Sequence, residues 1–436
     1  MKINNWLAAS AAAAPDKVAL VSESEQWTYA ELERRARNAA ASIARMGVAR
    51  GDTVALALEP SSAYVALLHG LMKLGAVTAP LDPLMPERQR EACFEQLAPS
   101  LVISEPGLVN EVTADSSPDA GARLEETVDL DAVHCFIHTS GTTGQAKPVE
   151  LTYGNHLWSA LGSAARVGLD PADRWLCFLP LHHVSGLSIL LRSAVYGTGV
   201  VLARFDAKAL AAFIGPSQVT VASCVATTLA RLLDAGAELD RLRCVLLGGG
   251  PLPERLVARA VDEGVPVAPT YGLTEAASQV ATLAPGEAAR RPGSVGPPLL
   301  PTRVRIEDGL IAVKGATVSR SAADEDGWLR TRDRGELSSD GHLYIHGRAD
   351  AMVVTGGENV FPAEVEQALR LHPDVVDASV DTVEDPQWQQ ALVATVVLTD
   401  GSTSTEEDLR EFCRAQLARY KVPKQIRVAD RLPGTP

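Results

Sequence analysis

The alternation of short apolar runs with helical patterns constrains the fold of this chain more than any other feature. Apolar runs at 17–21, 53–58 and 76–81 are typical of strands, and helical patterns lie between them. The segment 28–31 (Thr-Tyr-Ala-Glu) has the form of a capping box that begins the first helix, and Gly75 ends the second. Strands that alternate with helices predict an α/β fold built on doubly wound, largely parallel sheets.

Two later regions have different patterns. Short β-rich runs separated by Gly and Asp fill 302–345 and predict a small β-barrel-like part or a twisted sheet. From about residue 351, a helix, a strand and a second helix predict a small, mobile α+β domain. We therefore expect a large N-terminal domain at 1–349 and a small C-terminal domain at 350–436. The acidic and polar segment 105–129 is expected to be a surface connection.

The composition excludes several classes of protein. A chain of 436 residues exceeds one ordinary core, and its net charge of −14 argues against nucleic acid as a partner, because phosphate backbones attract clustered Lys and Arg. The six cysteines are dispersed without a C-x-x-C pair, which gives no zinc signature and favours a reducing compartment. No apolar stretch reaches the roughly 18 residues of a membrane span, and the N-terminus lacks the pattern of a signal peptide. We expect a cytoplasmic protein without a membrane span.

A polar loop after the predicted strand 133–137 is the first candidate binding site. It combines hydroxyl, glycine and lysine residues: Thr139, Ser140, Gly141, Thr142, Thr143, Gly144 and Lys147. Backbone N–H groups, O–H donors and one cation directed to the same point are what a polyphosphate needs. The loop is not a Walker motif, because Lys147 is followed by Pro148, which disfavours the helical conformation at the lysine. A flexible polar surface loop is the weaker alternative.

The remaining motifs are individually weak. A Gly-Gly-Gly-Pro turn at 248–251 would let a flat ring approach the backbone, although three glycines also make an ordinary turn. The segment 271–275 (Tyr-Gly-Leu-Thr-Glu) offers an aromatic face, a hydroxyl and a carboxylate, or simply an aromatic turn ahead of a helix. Asp333 is expected after a β-turn, where it could accept from ribose hydroxyls or stabilise the turn. Segment 347–350 would add the cation of Arg348, and segment 356–359 would add a loop that a ligand can approach closely.

Taken together and in this order, the motifs resemble those of the adenylate-forming superfamily, which includes acyl-CoA synthetases, luciferases and adenylation domains of peptide synthetases. The resemblance covers essentially the whole chain. It implies an enzyme that joins a carboxylate to AMP by means of ATP and Mg²⁺, releases pyrophosphate, and passes the acyl group to a thiol such as coenzyme A. Charge that develops on the α-phosphate would make electrostatic stabilisation the main requirement.

The resemblance also implies a function for each motif residue. The ATP-binding residues would be 139–144 and Lys147 at the phosphates, Gly249, Gly250, Tyr271 and Gly272 around the adenine, and Asp333 with Arg348 at the ribose. Thr274 would contact the α-phosphate and Glu275 would bind Mg²⁺, so these two are the catalytic candidates together with His183. Asp350 would be a hinge, and Gly356, Gly357 and Glu358 would line the path of coenzyme A.

Several segments are most similar to the o-succinylbenzoate–CoA ligases of menaquinone synthesis, namely 180–192, 278–282, 293–296 and 356–364. Their substrate has two carboxylates, so that one is activated and the other needs a cationic or hydrogen-bonding partner. The expected acyl pocket consists of His183, Ser185, Arg192, Ser278 and Thr282. Arg192, Ser185 and Thr282 are the candidates for that partner. Alternatively, Arg192 is a solvated helix arginine and His183 is a structural histidine.

Three departures from the superfamily pattern matter for activity. The usual Gly-Tyr upstream of 331–333 is missing, and Val-Ser-Arg at 318–320 occupies that shortened region. The usual Thr-Gly-Asp is replaced by Thr-Arg-Asp at 331–333, where Arg332 is expected to point outward. The printed chain ends at residue 436, before the position at which the superfamily carries a catalytic lysine, so we expect the small domain to lack its tail and this chain to form the adenylate slowly.

The alternatives to an o-succinylbenzoate ligase are an acyl- or aryl-CoA ligase for another carboxylic acid and a non-catalytic adenylate-binding protein. The acceptor thiol could also belong to a carrier protein. A homodimer is expected.

Overall fold

The computed structural model describes residues 1–113, 124–139, 147–215, 218–349, 353–355, 358–360, 362–385, 389–399, 401–417 and 421–432. The helices are α1 (Trp6–Ala13), α2 (Tyr29–Arg45), α3 (Ser62–Leu74), α4 (Glu87–Leu97), α5 (Pro106–Thr113), α6 (Tyr153–Val167), α7 (Val184–Tyr196), α8 (Ala207–Ile214), α9 (Ala226–Asp234), α10 (Glu254–Asp262), α11 (Pro362–Arg370) and α12 (Glu406–Gln416).

The strands follow the same chain order. They are β1 (Lys2–Asn4), β2 (Val18–Val21), β3 (Gln26–Thr28), β4 (Thr53–Leu56), β5 (Val77–Pro80), β6 (Leu101–Ile103), β7 (Thr127–Asp129), β8 (Val133–Thr139), β9 (Lys147–Thr152), β10 (Arg174–Cys177), β11 (Gly199–Leu202), β12 (Val221–Cys224), β13 (Cys244–Leu247), β14 (Val267–Leu273), β15 (Ser278–Thr282), β16 (Ser294–Gly296), β17 (Arg303–Glu307), β18 (Leu310–Lys314), β19 (Leu329–Leu337), β20 (Leu343–Arg348), β21 (Val353–Thr355), β22 (Glu358–Val360), β23 (Val375–Asp385), β24 (Gln389–Leu398) and β25 (Gln425–Val428).

The largest sheet has eight strands in the order β15-β14-β13-β12-β10-β11-β2-β3. Its inner pairs are parallel, and the pairs at its two edges are antiparallel. The inner strands β11, β12 and β13 are buried along their whole length, as expected of parallel strands with both faces covered. The prediction of a doubly wound, largely parallel sheet is confirmed here.

A second sheet has five strands in the order β6-β4-β5-β8-β9, parallel except for the final β8–β9 pair. The N-terminal apolar runs are therefore divided between two sheets, since β2 belongs to the first and β4 and β5 belong to the second. Helices α2 and α3 pack closely at Gly70. A Cβ on this residue would lie 2.8 Å from Ala36 O and from Ala39 Cβ, so the absence of a side chain allows the contact. The alternation of elements was predicted correctly, but it does not reveal which sheet each strand joins.

Local signals at the ends of these helices act as the sequence predicted. Thr28 and Glu31 form a reciprocal capping box at the start of α2, with Thr28 N donating to Glu31 Oε2 at 2.7 Å. Ser61 caps α3, and Gly75 ends it in the left-handed region with φ of 73°. The expected surface connection at 105–129 is partly wrong, because α5 and β7 occupy its described ends.

The β-rich part is a five-stranded antiparallel sheet in the order β16-β20-β19-β18-β17. It is an open sheet and not a closed barrel, because β16 and β17 lie at opposite edges. The described residues from 353 onward build the α+β part, in which β23, β24 and β25 form one sheet. Their core includes Leu369, Leu392 and Leu409, all fully buried. No helix in the described ranges is long and apolar enough to cross a membrane.

Candidate active site

The glycine turn after β13 packs tightly against the neighbouring strand β14. A Cβ at Gly248 would lie 2.6 Å from Thr270 Cγ2 and 2.8 Å from Thr270 O, so only glycine fits there. Gly249 adopts a left-handed φ of 81°, and nothing lies within 4 Å of a Cβ at Gly250. Gly249 and Gly250 are exposed, so their backbone is open to a flat ligand at the carboxyl end of the sheet.

Tyr271 lies beside this turn. The alternative of an aromatic turn does not hold for this residue, because it is part of strand β14. Its hydroxyl donates a hydrogen bond to Asp333 Oδ2 at 2.6 Å, which joins the large sheet to the antiparallel sheet. Burial of the ring, together with the charge of Asp333, raises the pKa of Tyr271, so the hydroxyl remains a donor. The structure thus brings together the two residues expected at the adenine and the ribose.

Asp333 is in the middle of β19, directly opposite Arg348 on β20. As expected, Asp333 follows a turn in the chain, but it lies within a nine-residue strand and not at the turn itself. Asp333 N donates to Thr331 Oγ1 at 3.1 Å, and that hydroxyl donates to Ile311 O at 2.7 Å. Arg332 is exposed, as predicted, because successive strand residues face opposite sides.

Thr274 and Glu275 lie in a short 3₁₀ helix, Thr274–Ala276, that directly follows β14. Both side chains are half-buried. Ser319 N donates to Glu275 O at 2.8 Å, which fixes the backbone of the turn. The chain then reverses into β15 through a close approach, since a Cβ at Gly272 would lie 2.0 Å from Ser278 O. A partly accessible carboxylate on a fixed turn is an oxygen ligand of the kind that Mg²⁺ prefers.

The described ends of the expected phosphate loop are Thr139 on β8 and Lys147 on β9, which face each other across the pair. Lys147 is exposed. Ser140, Gly141, Thr142, Thr143 and Gly144 lie outside the described residues, as do Asp350, Gly356 and Gly357. Glu358 begins β22 and pairs with Thr355.

His183 immediately precedes α7 and is exposed, with its ring 4.5 Å from that of His182. Surrounding protein atoms partly desolvate both imidazoles and lower their pKa, and the nearby Asp82 carboxylate partly opposes this effect. Ser185 is half-buried in the first turn of α7. The start of α7 therefore presents neutral polar side chains near neutral pH.

Arg192, two turns further along α7, is only 2% exposed. Its Nη2 donates to Ser159 Oγ at 3.2 Å, and its guanidinium lies 5.7 Å from the centre of the Trp175 ring. Its Nε has no hydrogen-bond partner, and no carboxylate lies within ion-pair distance of it among the described residues. The alternative of a solvated arginine is wrong. Burial lowers the pKa of Arg192, yet a guanidinium stays charged in proteins, so this buried cation lacks an anion.

The other expected pocket residues are Ser278 and Thr282 on β15. Ser278 is half-buried with a positive φ of 99°. Thr282 is fully buried, and its Oγ1 accepts from Gln279 Nε2 at 2.8 Å and lies 2.8 Å from Thr270 Oγ1. The hydrogen-bond partners of the Thr282 hydroxyl thus lie within the sheet. Arg192 is therefore the candidate for binding the second carboxylate whose charge still lacks an anion.

A second group of possible metal ligands, His134, Cys135 and His156, lies in the core between β8 and α6. Their ligand atoms lie within 4.8 Å of one another, and Cys135 Sγ is 3.4 Å from His156 Nε2. Burial raises the pKa of the Cys135 thiol and lowers the pKa of both imidazoles. The group is therefore neutral, and we treat it as part of the packed core.

Comparison with known proteins identifies the family of this chain. The AMP-binding enzyme family matches residues 7–318, and the AMP-binding enzyme C-terminal domain matches residues 364–436. A 2-succinylbenzoate–CoA ligase of Geobacillus kaustophilus is 39% identical over 462 residues, which cover 98% of this chain and 94% of that protein. The ligase of the same name from Bacillus subtilis is 35% identical, with 98% and 94% covered.

Solved structures that are similar to this chain belong to the same group of enzymes as these relatives. The o-succinylbenzoate CoA synthetase of Bacillus subtilis in complex with its acyl-adenylate intermediate superimposes with a TM-score of 0.91 at 34% identity, covering 99% of this chain and 96% of that chain. The same synthetase with ATP and a magnesium ion gives a TM-score of 0.90 at 34% identity, covering 99% and 97%. With matches to both family domains and to relatives along nearly its whole length, this chain belongs to the AMP-binding enzyme family, within the adenylate-forming superfamily.

Proposed function

We propose that this chain activates o-succinylbenzoate with ATP to form the acyl-adenylate and transfers the acyl group to coenzyme A. The products are o-succinylbenzoyl-CoA, AMP and pyrophosphate. The observation that carries the proposal is the 39% identity to a 2-succinylbenzoate–CoA ligase over 98% of the chain. The buried, unpaired guanidinium of Arg192 supports it independently, because the substrate is a dianion and activation consumes only one of its carboxylates.

The nucleotide end of the proposed site lies across the two sheets that Tyr271 and Asp333 connect. The exposed Gly249–Gly250 backbone receives the adenine edge while Tyr271 covers its face, and Gly272 allows β14 to pack closely against Ser278 beside it. Asp333 accepts from the ribose hydroxyls with Arg348 opposite it on β20. Lys147 and the polar loop 139–144 hold the β- and γ-phosphates.

The reaction end of the proposed site is the turn that carries Thr274 and Glu275. Thr274 donates from its hydroxyl to the α-phosphate, and Glu275 supplies the carboxylate for Mg²⁺, an ion that neutralises phosphate charge when it is bound. One substrate carboxylate oxygen attacks the α-phosphorus, the bond to the β-phosphate oxygen breaks, and pyrophosphate leaves. A turn whose backbone is already fixed needs little reorganisation as charge develops.

The acid end of the proposed site runs from the start of α7 to Arg192. The second carboxylate of the substrate pairs with the Arg192 guanidinium, whose planar fork matches a carboxylate. His183 borders the entrance as a neutral imidazole, with Ser185 and Ser278 as neighbouring hydroxyls. A mono-acid of similar size would leave the buried cation unpaired, which is the physical basis for discrimination.

Transfer to coenzyme A is proposed to use the small domain at 350–436 against the large domain at 1–349. Asp350 is the proposed hinge, and Gly356, Gly357 and Glu358 line the thiol path. Coenzyme A is favoured over a carrier-protein thiol because the named relatives are CoA ligases.

A cytoplasmic location is proposed because all six cysteines are free and buried. A homodimer is also proposed. Exposed Trp158 and Leu161 on α6, with Leu300 beside Gly162, offer an apolar patch for a second copy, and light scattering tests this.

A panel of acids tests the function. Pyrophosphate release and CoA thioester formation are measured with o-succinylbenzoate, its mono-acid analogues and medium-chain acids, and thioester formation is also measured from supplied o-succinylbenzoyl-adenylate. We expect o-succinylbenzoate to exceed the mono-acids in kcat/KM by about 100-fold, the ratio that one charge-assisted interaction of roughly 3 kcal/mol gives.

The matched variants are Arg192→Met, which removes the charge, and Arg192→Lys, which keeps it. Arg192→Met should lose the preference for the di-acid, while Arg192→Lys should retain part of it. Turnover of another acid with none of o-succinylbenzoate, in both assays, would contradict the proposal. Adenylate binding without any thioester formation would favour a non-catalytic adenylate-binding protein.

A further inference from the structure

A single buried hydroxyl connects the acid end of the site to its reaction end. Ser159, on α6, is 3% exposed. Its Oγ donates to Ala277 O at 2.7 Å and accepts from Arg192 Nη2 at 3.2 Å. The serine has only one proton to donate, so the direction of this chain is fixed as Arg192 to Ser159 to Ala277.

Ala277 closes the turn that carries the two catalytic candidates. Its backbone N donates to Thr274 O at 3.0 Å, and its φ of +51° places it in the left-handed region. Ser278 follows with a φ of +99°. Two consecutive positive φ values at non-glycine residues persist only where neighbouring groups hold them. The Ser159 hydroxyl is the side-chain donor that holds the first of them, because it is bound to the Ala277 carbonyl.

Helix α6 also holds the other side of the same turn. Asn155, one turn before Ser159, donates through Nδ2 to Ala316 O at 2.9 Å and to Val318 O at 3.1 Å. The next residue, Ser319, donates its backbone N–H to Glu275 O at 2.8 Å. Asn155 is itself fixed by the capping box with Thr152 at the start of α6. Among the described residues, α6 thus supports the Glu275 turn through Asn155 and through Ser159, and the Ser159 route is the one that leads to Arg192.

We propose that Ser159 is a positioning residue that couples recognition of the acid at Arg192 to the Thr274–Glu275 turn. This inference rests on the proposed function, which assigns Arg192 to the second carboxylate of the substrate. An anion at Arg192 fixes the guanidinium, which holds Nη2 on the Ser159 hydroxyl and so keeps that hydroxyl directed at Ala277 O. The turn that meets Mg·ATP is therefore steadied when the acid is present.

Such a coupling is reciprocal. If the acid improves the binding of Mg·ATP by some factor, then Mg·ATP improves the binding of the acid by the same factor. A serine that only fills space in the core would affect stability and both affinities without changing that factor. The factor is therefore the measurement that separates a positioning residue from a packing residue.

The test measures binding to the full chain by calorimetry, with Mg²⁺ and α,β-methylene-ATP as the unreactive nucleotide and o-succinylbenzoate as the acid. We expect the wild-type protein to bind the acid at least about 5-fold more tightly when the nucleotide is present, within the range of typical couplings. Ser159→Ala should bring this factor close to one, and Ser159→Thr, which keeps a hydroxyl, should restore part of it.

The matched control is Ser163→Ala, one turn further along α6. Ser163 is 1% exposed, so its removal tests the loss of a buried serine hydroxyl on the same helix. We expect Ser163→Ala to keep the wild-type coupling factor. The inference is overturned if the wild-type factor is one, if Ser159→Ala retains the wild-type factor, or if Ser163→Ala abolishes it equally.

Arg192→Met separates the failure of this inference from the failure of the proposed function. If Arg192→Met leaves the acid affinity unchanged, the acid does not use Arg192, and the coupling through Ser159 falls together with the assignment of Arg192 to the second carboxylate; the ligase function itself is decided by the panel of acids. If Arg192→Met weakens acid binding while Ser159→Ala keeps the coupling factor, only the positioning function of Ser159 falls.

Discussion

Acidification from pH 7 to pH 5 should destabilise the large domain through three buried histidines. His69, His134 and His156 are 3%, 0% and 4% exposed. Burial lowers the pKa of His69 and of His156 to about 3, and the neighbouring Lys73 and Arg192 add to the effect. Burial also holds the pKa of His134 well below its ordinary value. All three rings are therefore neutral in the folded protein at pH 5.

The magnitude follows from proton uptake by the unfolded chain. There each histidine has a pKa of about 6.5, so below that pH the unfolded state binds a proton that the folded state does not, and stability falls as the pH falls. Between pH 7 and pH 5 this costs about 2 kcal/mol for each of His69 and His156, or about 4 kcal/mol together. The result is insensitive to the folded pKa as long as it stays well below 5. A loss of this size is a large share of the roughly 5–15 kcal/mol that stabilises a typical domain.

The assay is urea denaturation at pH 7, 6 and 5, followed by the fluorescence of Trp6 and Trp175, which are buried in the same core as the histidines. His156→Gln should reduce the pH-dependent loss by about 2 kcal/mol, because the glutamine does not titrate. His346→Gln, at a half-exposed histidine on β20, is the matched control and should keep the wild-type slope. Identical pH slopes for wild type and His156→Gln, or an ordinary pKa of the His156 ring by NMR in the folded protein, would refute the reasoning.

Three further outcomes are expected. Tyr271→Phe removes the donor to Asp333 and should weaken ATP binding about 5- to 10-fold, the equivalent of a net hydrogen bond of roughly 1–1.5 kcal/mol; unchanged ATP affinity by titration would contradict it. Gly162→Ala would place a Cβ 2.1 Å from Leu300 O and should cost about 1–3 kcal/mol in urea unfolding, whereas Gly107→Ala meets nothing within 4 Å and should not destabilise. The six cysteines are buried, so a thiol reagent should label none in the native protein and all six in urea, and rapid native labelling would count against this packing.

The elements of the fold were predictable because their signals are local. The capping box at 28–31 and the glycine at 75 each act within one turn of helix, and the structure confirms both. Which sheet a strand joins depends on contacts between segments that lie far apart in the chain. The packing of α2 against α3 is one such contact, and no local sequence pattern encodes it. The same limit explains β7, whose pairing partner β1 lies far away in the chain.

The motif residues of the site were found from the sequence, but their surroundings were not. The sequence placed Tyr271 just past a strand end and Asp333 just past a turn, whereas cross-strand pairing extends β14 and β19 through both residues. The burial of Arg192 could not be decided, since an arginine on a helix is usually solvated. Ser159 gave no signal at all, because a serine on an amphipathic helix is unremarkable until its two partners are placed beside it.

The antiparallel pairing of β8 and β9 has a consequence for how this enzyme could be re-engineered. Thr139 faces Lys147 at the end of a ladder that continues through Val133 and Thr152, so the sheet itself closes the base of segment 140–146. The ladder already holds the two ends of that segment together. Changes in its length or sequence should therefore alter the free energy of folding only slightly, because the entropy of loop closure grows slowly with length. A chain cleaved there would keep its halves joined by the ladder. Two fragments divided at this point therefore form a design that separates the stability of the fold from the phosphate contacts proposed for 139–144.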